Sequence, residues 1–268
     1  MSILKKFFDI IFGKKYRKCP SEAMIYNGEK RALQAGLINS EQIMAYSDSY
    51  TTGLTGDNLS DGLSSSWGIT SPQEAVETLT ALSESGHRYF YDIIYRVYSE
   101  GASEGSSQKI LDALVESGRY GKPETVHKWI LATEQSEEKD LIFFELKIAL
   151  GMFENLSSIF RVLKDKVNGS YGSEDYSAGI LAWDLGRLVT VARMSFDCGY
   201  LEQHEVSQVL AHVDRQVQVN FSSWPQFAKS YIIGRAIWSG QNVTLGGIIG
   251  IAEDLMTDKH SPWVLSPL

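Results

Sequence analysis

The stretch that decides the fold is Ala182-Trp-Asp-Leu-Gly-Arg-Leu-Val-Thr-Val-Ala-Arg-Met-Ser-Phe-Asp-Cys-Gly-Tyr200. At about 100° per residue, Trp183, Arg187, Thr190, Met194 and Asp197 fall within one narrow arc, with Leu181, Leu185, Leu188, Ala192 and Phe196 opposite. A second stretch, Ser223-Trp-Pro-Gln-Phe-Ala-Lys-Ser-Tyr-Ile-Ile-Gly-Arg-Ala-Ile-Trp-Ser-Gly240, lines up Trp224, Ala228, Tyr231, Arg235 and Trp238 in the same way. A helix that is apolar on one side and Trp/Arg-rich on the other has two environments to satisfy. One face belongs in a core, the other in a polar contact or a site.

The remaining periodicity is also helical. Helices are expected over about Ser21–Ala35, Ser40–Tyr50, Ser71–Ser85, Arg88–Glu100, Ser107–Ser117, Pro123–Thr133 and Ser136–Val167, and then Ser177–Cys198, Glu202–Asn220, Trp224–Ser239 and Leu245–Met256. Ser71-Pro72-Gln73-Glu74 is a helix start, with a capping Ser, Pro in the first turn and an acid after it. Gly36, Gly86, Gly118, Gly121 and Asn168-Gly169 punctuate the pattern. Ser47–Gly68 is rich in Ser, Gly, Thr and Asp and reads as a long loop. No strand-like alternation and no repeat is present. The expected fold is all-α, a single globular multi-helix domain over residues 63–268 preceded by a helical extension over residues 1–62.

Composition narrows the function classes. The chain has 268 residues, 43% of them apolar and 11% aromatic, enough for a real core. A net charge of −8 argues against general nucleic-acid binding, which needs a basic surface. The charge is uneven: Met1–Pro20 holds six Lys/Arg and one Asp, so the rest of the chain carries −13. Cys19 and Cys198 make neither a disulfide framework nor a zinc spacing, which fits a reducing compartment. Leu4, Phe7, Phe8, Ile11 and Phe12 form a helical stripe beside Lys14–Lys18, too short to span a bilayer. Docking of this helix on the acidic body outweighs weak contact with an anionic membrane surface. A soluble cytoplasmic protein is expected, with inner-membrane contact as the alternative.

Motifs that imitate chemistry fail their context tests. Gly101-Ala-Ser-Glu-Gly105 spells a nucleophile elbow but lies between helices instead of between a strand and a helix. Glu84-Ser-Gly-His87 and Glu124-Thr-Val-His127 resemble half-sites of a di-iron bundle, yet Gly86 breaks the first and Glu124 suits a helix first turn. Asp57–Gly68 puts Leu59 and Gly68 where a calcium loop needs oxygen ligands. Gly246-Gly-Ile-Ile-Gly250 has no preceding strand, and His204, His212 and His260 have no partners at ligand spacing. Neither a metal nor a cofactor is expected.

The Trp/Arg faces survive. Asp184 and Arg187 are one turn apart, Trp183 can stack on Arg187, and Arg193 flanks the same face. With the two helices face to face, Asp184 or Asp197 would neutralise Arg235 in a semi-buried cluster. A fold-specifying polar core is the favoured reading. A pocket for an anionic ligand, clamped by arginine forks against aromatic walls, is the alternative. The candidate residues are Trp183, Asp184, Arg187, Arg193, Trp224, Tyr231, Arg235 and Trp238.

Those residues also carry a resemblance. Ala182–Arg187, Ala192-Arg193, Cys198–Leu201, Phe221–Trp224 and Ser230–Trp238, with Trp67–Thr70 and Gly86–Arg88, resemble the bacterial domain of unknown function 1266, the family of the YbeU- and YbeR-like proteins. The resemblance spans about Ser66–Gly240. It implies a mostly helical cytosolic domain and no particular activity. Taken together, the expectation is a non-enzymatic adaptor or immunity-type protein that binds another protein through a basic surface on that partner. A domain or enzyme handling a small anion at the Arg/Trp/Asp cluster is the alternative.

Overall fold

In the computed structural model, residues 16–21, 25–55, 57–101, 105–166, 171–240 and 242–268 are described. The amphipathic stripe before Lys15, the central Ala102–Glu104 of the elbow-like motif and the Asn168-Gly169 turn lie outside these residues. All regular structure among the described residues is helical, with no strand. The helices are α1 (Asn27–Ala35), α2 (Leu37–Ile43), α3 (Asp57–Trp67), α4 (Pro72–Glu84), α5 (Arg88–Ser99), α6 (Ser106–Glu116) and α7 (Pro123–Leu131). They continue with α8 (Glu137–Lys166), α9 (Ser173–Ser177), α10 (Leu181–Asp197), α11 (Gln203–Asn220), α12 (Trp224–Ser239), α13 (Val243–Thr257) and α14 (Pro262–Leu265). The chain divides into two compact units, one of residues up to Gly86, Leu181–Ile232 and Val243–Leu268, the other of His87–Ile180 and Ile233–Asn242. Helix α12 is continuous and gives its first part to one unit and its last turns to the other.

The first unit is built around α10. Helices α1, α2, α3, α4 and α11 all pack against it, and every residue from Ala182 to Ser195 is buried. The two-faced reading of this helix is therefore corrected. Five neighbours leave no side for solvent, and a helix in that position is buried all round. Its polar residues must then find partners inside the protein. Arg193 donates to Ser40 Oγ at 2.9 Å, to Tyr46 O at 2.6 Å and to Thr51 O at 2.9 Å. One turn on, the Asp197 carboxylate accepts from Thr52 N at 2.7 Å and from the Thr52 hydroxyl. Together they fasten the Met44–Gly53 loop to α10. Burial pulls the Arg193 guanidinium down to about 10, still charged at neutral pH.

Helix boundaries follow the local signals where those signals are strong. Ser71 Oγ accepts from Glu74 N at 3.3 Å, Pro72 opens α4, and the Glu74 carboxylate accepts from Thr70 N at 2.7 Å. Two expectations fail nearby. The helix expected over Ser40–Tyr50 is instead α2, which stops at Met44 in the left-handed conformation at φ 58°. The expected Ser47–Gly68 loop contains α3. Its Leu59 and Leu63 are spaced i, i+4 and buried, and α3 packs on α10, so tertiary burial overrides a weak Ser/Gly-rich propensity.

The second unit is organised along α8. Helices α5, α6 and α7 pack against α8, and α6 also contacts α5 and α7. Val115, Val126 and Ile142 form one apolar centre, with Leu111, Trp129 and Ile130 packed around it. The other is aromatic: Tyr98 meets Phe153 and Phe160, Phe160 meets Tyr176, and the Tyr91 hydroxyl donates to Tyr176 O at 2.5 Å. Asn155 on α8 donates to Ile237 O at 2.8 Å and so holds the end of α12. The buried Glu145 carboxylate accepts from Arg119 at 3.0 Å and from the Tyr120 hydroxyl.

Candidate functional site

The centre of the expected cluster exists and is tightly enclosed. Asp184 is fully buried, and Arg187, one turn later on α10, donates to its Oδ1. The Arg187 guanidinium lies 4.7 Å from the Trp183 ring centroid and 5.6 Å from that of Trp67, so two indoles share one cation. Trp183 meets Tyr231 edge-on at 5.1 Å, and Ala182 N donates to Ser230 Oγ at 3.2 Å. The first turn of α10 is thereby joined to α12. Two glycines allow the approach. Gly86, at φ 55°, presses its backbone on the Asp184 carboxylate, where any Cβ would collide with Oδ2. At Gly186 a Cβ would stand 2.7 Å from Tyr231 Cε2 and 2.9 Å from Asn39 Oδ1.

Gly186→Ala therefore has an expected sign opposite to the ordinary one. Ala usually gains about 0.5–1 kcal/mol over Gly inside a helix. Here the added methyl overpacks a ring that has nowhere to go, and overpacking costs about 1–3 kcal/mol. A net loss of about 1–2 kcal/mol is expected in urea unfolding, against a gain for an unobstructed helical glycine.

The other candidates have these contacts within their own units. Arg193 binds the Met44–Gly53 loop. Trp224 stacks flat on Trp263 at 4.9 Å and donates to Ser266 O at 2.9 Å, which fixes the carboxyl-terminal segment. Arg235 and Trp238 belong to the second unit, where Trp238 stacks on His87 at 4.1 Å and remains 43% exposed. Within the first unit, Asp184 accepts from Arg187 and Asp197 from Thr52. Among the described residues no three His, Cys, Asp or Glu side chains are grouped to hold a metal ion. His127 Nδ1 lies 2.9 Å from Pro123 O, a contact within its own helix.

Sequence reasoning passed over a surface of the second unit. Leu141 and Phe144 are exposed on α8, sharing a face with half-buried Ile148, and Phe144 is 62% exposed. Leu131, 81% exposed, ends α7, and Lys139 Nζ donates to Ala132 O at 2.5 Å, tying that end to the first turn of α8. Glu134, Glu137, Glu138 and Asp140 are exposed there, and Lys139, turned to the carbonyl, is the only cation among Glu134–Asp140. The missed signal is Leu141-Ile-Phe-Phe144: one face of the helix cannot bury all four. Trp67 was missed as a partner of Arg187 because it sits in the segment taken for a loop.

Comparison with known proteins adds a family and nothing finer. No curated protein and no solved structure matches the chain. Residues 62–268 match the model of a family described as Protein of unknown function (DUF1266).

Proposed function

The chain belongs to the DUF1266 family, whose description assigns no activity, and from that premise we propose that it is a non-enzymatic interaction protein of the adaptor or immunity type. The supporting observation is the exposed Leu131, Leu141 and Phe144 surface, bordered by the carboxylates of Glu134–Asp140. Exposed apolar neighbours such as Leu141 and Phe144, one turn apart on α8, mark interaction sites, and the acidic border selects a partner with a basic, apolar-centred surface. Complementary charge would speed encounter and reject acidic competitors. The Trp183/Asp184/Arg187 group is read as fold-specifying, because Asp184 and Arg187 are buried and hydrogen-bonded to each other and Gly86 and Gly186 are packed tightly against the group. The matched family model begins at residue 62, while α1 and α2 before it pack on α10 within the first unit. No described helix is long and apolar enough to cross a membrane, and a bacterial cytoplasmic setting, with kinship to the YbeU- and YbeR-like members, completes the proposal.

The test is site-specific photo-crosslinking in the native host. A photoreactive residue replacing Phe144 is expected to give one discrete adduct with a basic protein. The same residue at Val219, 82% exposed on the other unit, is expected to give none. Leu141→Ser with Phe144→Ser is expected to weaken binding of the captured protein at least about tenfold, with circular dichroism unchanged. A Phe144 probe that yields no discrete adduct overturns the reading.

A further inference from the structure

We infer that the cleft between α4 and α11 in the first unit receives the chain's own amino-terminal stripe, Leu4, Phe7, Phe8, Ile11 and Phe12. Helices α4 and α11 both pack on α10 but scarcely on each other, and a cavity of about 300 Å³ lies between them. Buried Leu79, Leu188 and Leu201 form its floor, with exposed Val76 and half-buried Val209 at its mouth. The lining comes from positions 76, 79, 80 and 83 of α4 and 205, 208, 209 and 212 of α11. Each wall is thus a row at i, i+3, i+4 and i+7, about 10 Å long. Leu4, Phe7, Phe8 and Ile11 repeat that spacing, which is how an amphipathic helix anchors in an apolar groove. Volume at the lower limit of ligand pockets suits side chains inserted from such a helix.

Charge complements shape. From Ser71 to Gly86 the chain carries Glu74, Glu77 and Glu84 and no cation, and from Leu201 to His212 it carries Glu202 and Glu205 and no Lys or Arg. Glu205 lines the cleft itself, whereas Arg215, the first Arg on α11, lies outside the lining. Residues 1–15 hold Lys5, Lys6, Lys14 and Lys15 against a single acid, Asp9. Opposite charge brings this stripe to these walls and disfavours an acidic competitor. The stripe also joins the described chain on the side of α10 that serves the cleft. Arg17 donates to Gly53 O at 3.2 Å, and the neighbouring Thr52 N donates to Asp197 at 2.7 Å, at the end of α10 that runs on to Leu201. Tethering by the few residues before Arg17 raises the effective concentration of the stripe far above that of a free partner.

The inference is independent of the α8 surface, which lies in the other unit. The full chain is prepared with a benzophenone side chain at position 8 or, separately, at position 11, irradiated when dilute, digested and analysed by mass spectrometry. Each probe is expected to give an adduct within one chain, joined to residues 72–84 or 201–212. Val76→Lys places a charge at the apolar mouth and is expected to lower the yield at least about fivefold, with circular dichroism unchanged. Val219→Lys, at an 82% exposed position on the same α11, is expected to change nothing. With phosphatidylglycerol vesicles present the adduct is expected to persist. Adducts with lipid in its place assign the stripe to a membrane and overturn the inference, and adducts between two chains assign it to a second copy and do the same. No adduct from either position, adducts to other segments, or a Val76→Lys yield equal to that of the unsubstituted chain also overturns it.

Discussion

Asp184→Ala is expected to lower unfolding stability by about 3–5 kcal/mol, the usual cost of stranding one partner of a buried ion pair. Asp184 is fully buried and Arg187 nearly so, and the carboxylate lies between that guanidinium and the Gly86 backbone. Removing it leaves a cation against two indoles with its counter-charge gone. Joint replacement, Asp184→Leu with Arg187→Met, is expected to recover most of the loss, since a packed apolar pair is often as stable as a buried ionic one. Urea midpoints of the three proteins check this. A single-variant loss below about 1 kcal/mol, or a double variant no better than the single, shows that the pair does not hold this core together. Photo-crosslinking at position 144 is expected to survive Asp184→Ala below the variant's unfolding temperature, which separates the folding role from the interaction surface.

Arg193→Ala is expected to cost about 3 kcal/mol, for a different reason. The guanidinium bridges two carbonyls and a hydroxyl, and charged hydrogen bonds of this kind are worth about 1.5–3 kcal/mol each without adding fully. The Tyr46 and Thr51 carbonyls lose their cation, and the Met44–Gly53 loop loses a tie to α10. Limited proteolysis is expected to open new cleavage within Met44–Gly53 before global unfolding. Arg193→Lys is expected to rescue little, because one ammonium cannot reproduce the planar fork whose Nη2 holds both carbonyls while Nη1 reaches Ser40 Oγ. Unchanged protease resistance of that loop in Arg193→Ala refutes the clamp.

These two residues also show where sequence reading stops. The i, i+3 spacing of Asp184 and Arg187 made their pairing legible, and Trp183 at i−4 from Arg187 made the stacking legible. Their burial was not, because a Trp/Arg face reads as a polar face until the neighbours are known. Trp67 was invisible as the second indole, since α3 owes its helical state to packing of Leu59 and Leu63. Arg193 looked like a flank of the cluster and proved to be a clamp on backbone carbonyls, acceptors that every residue carries and no motif marks. Trp224 and Trp238 shared a helical face on paper, yet one stacks on Trp263 and the other on His87. The exposed Leu141 and Phe144 escaped notice because an apolar run in a long helix is ordinarily assigned to the core.

The sequence by itself determined the helical class, most helix limits from α4 onward, and the intrahelical Asp184–Arg187 pair. All of these depend on interactions within a few residues: periodicity, capping hydroxyls, turn glycines and neighbouring charges. Only the tertiary structure decided that α10 is enclosed on every side, that α3 is a helix, and that Leu131 and Phe144 stay outside. Burial is a property of what packs against a residue, and contacts between Asn39 and Gly186 or Thr52 and Asp197 join positions that no local pattern relates.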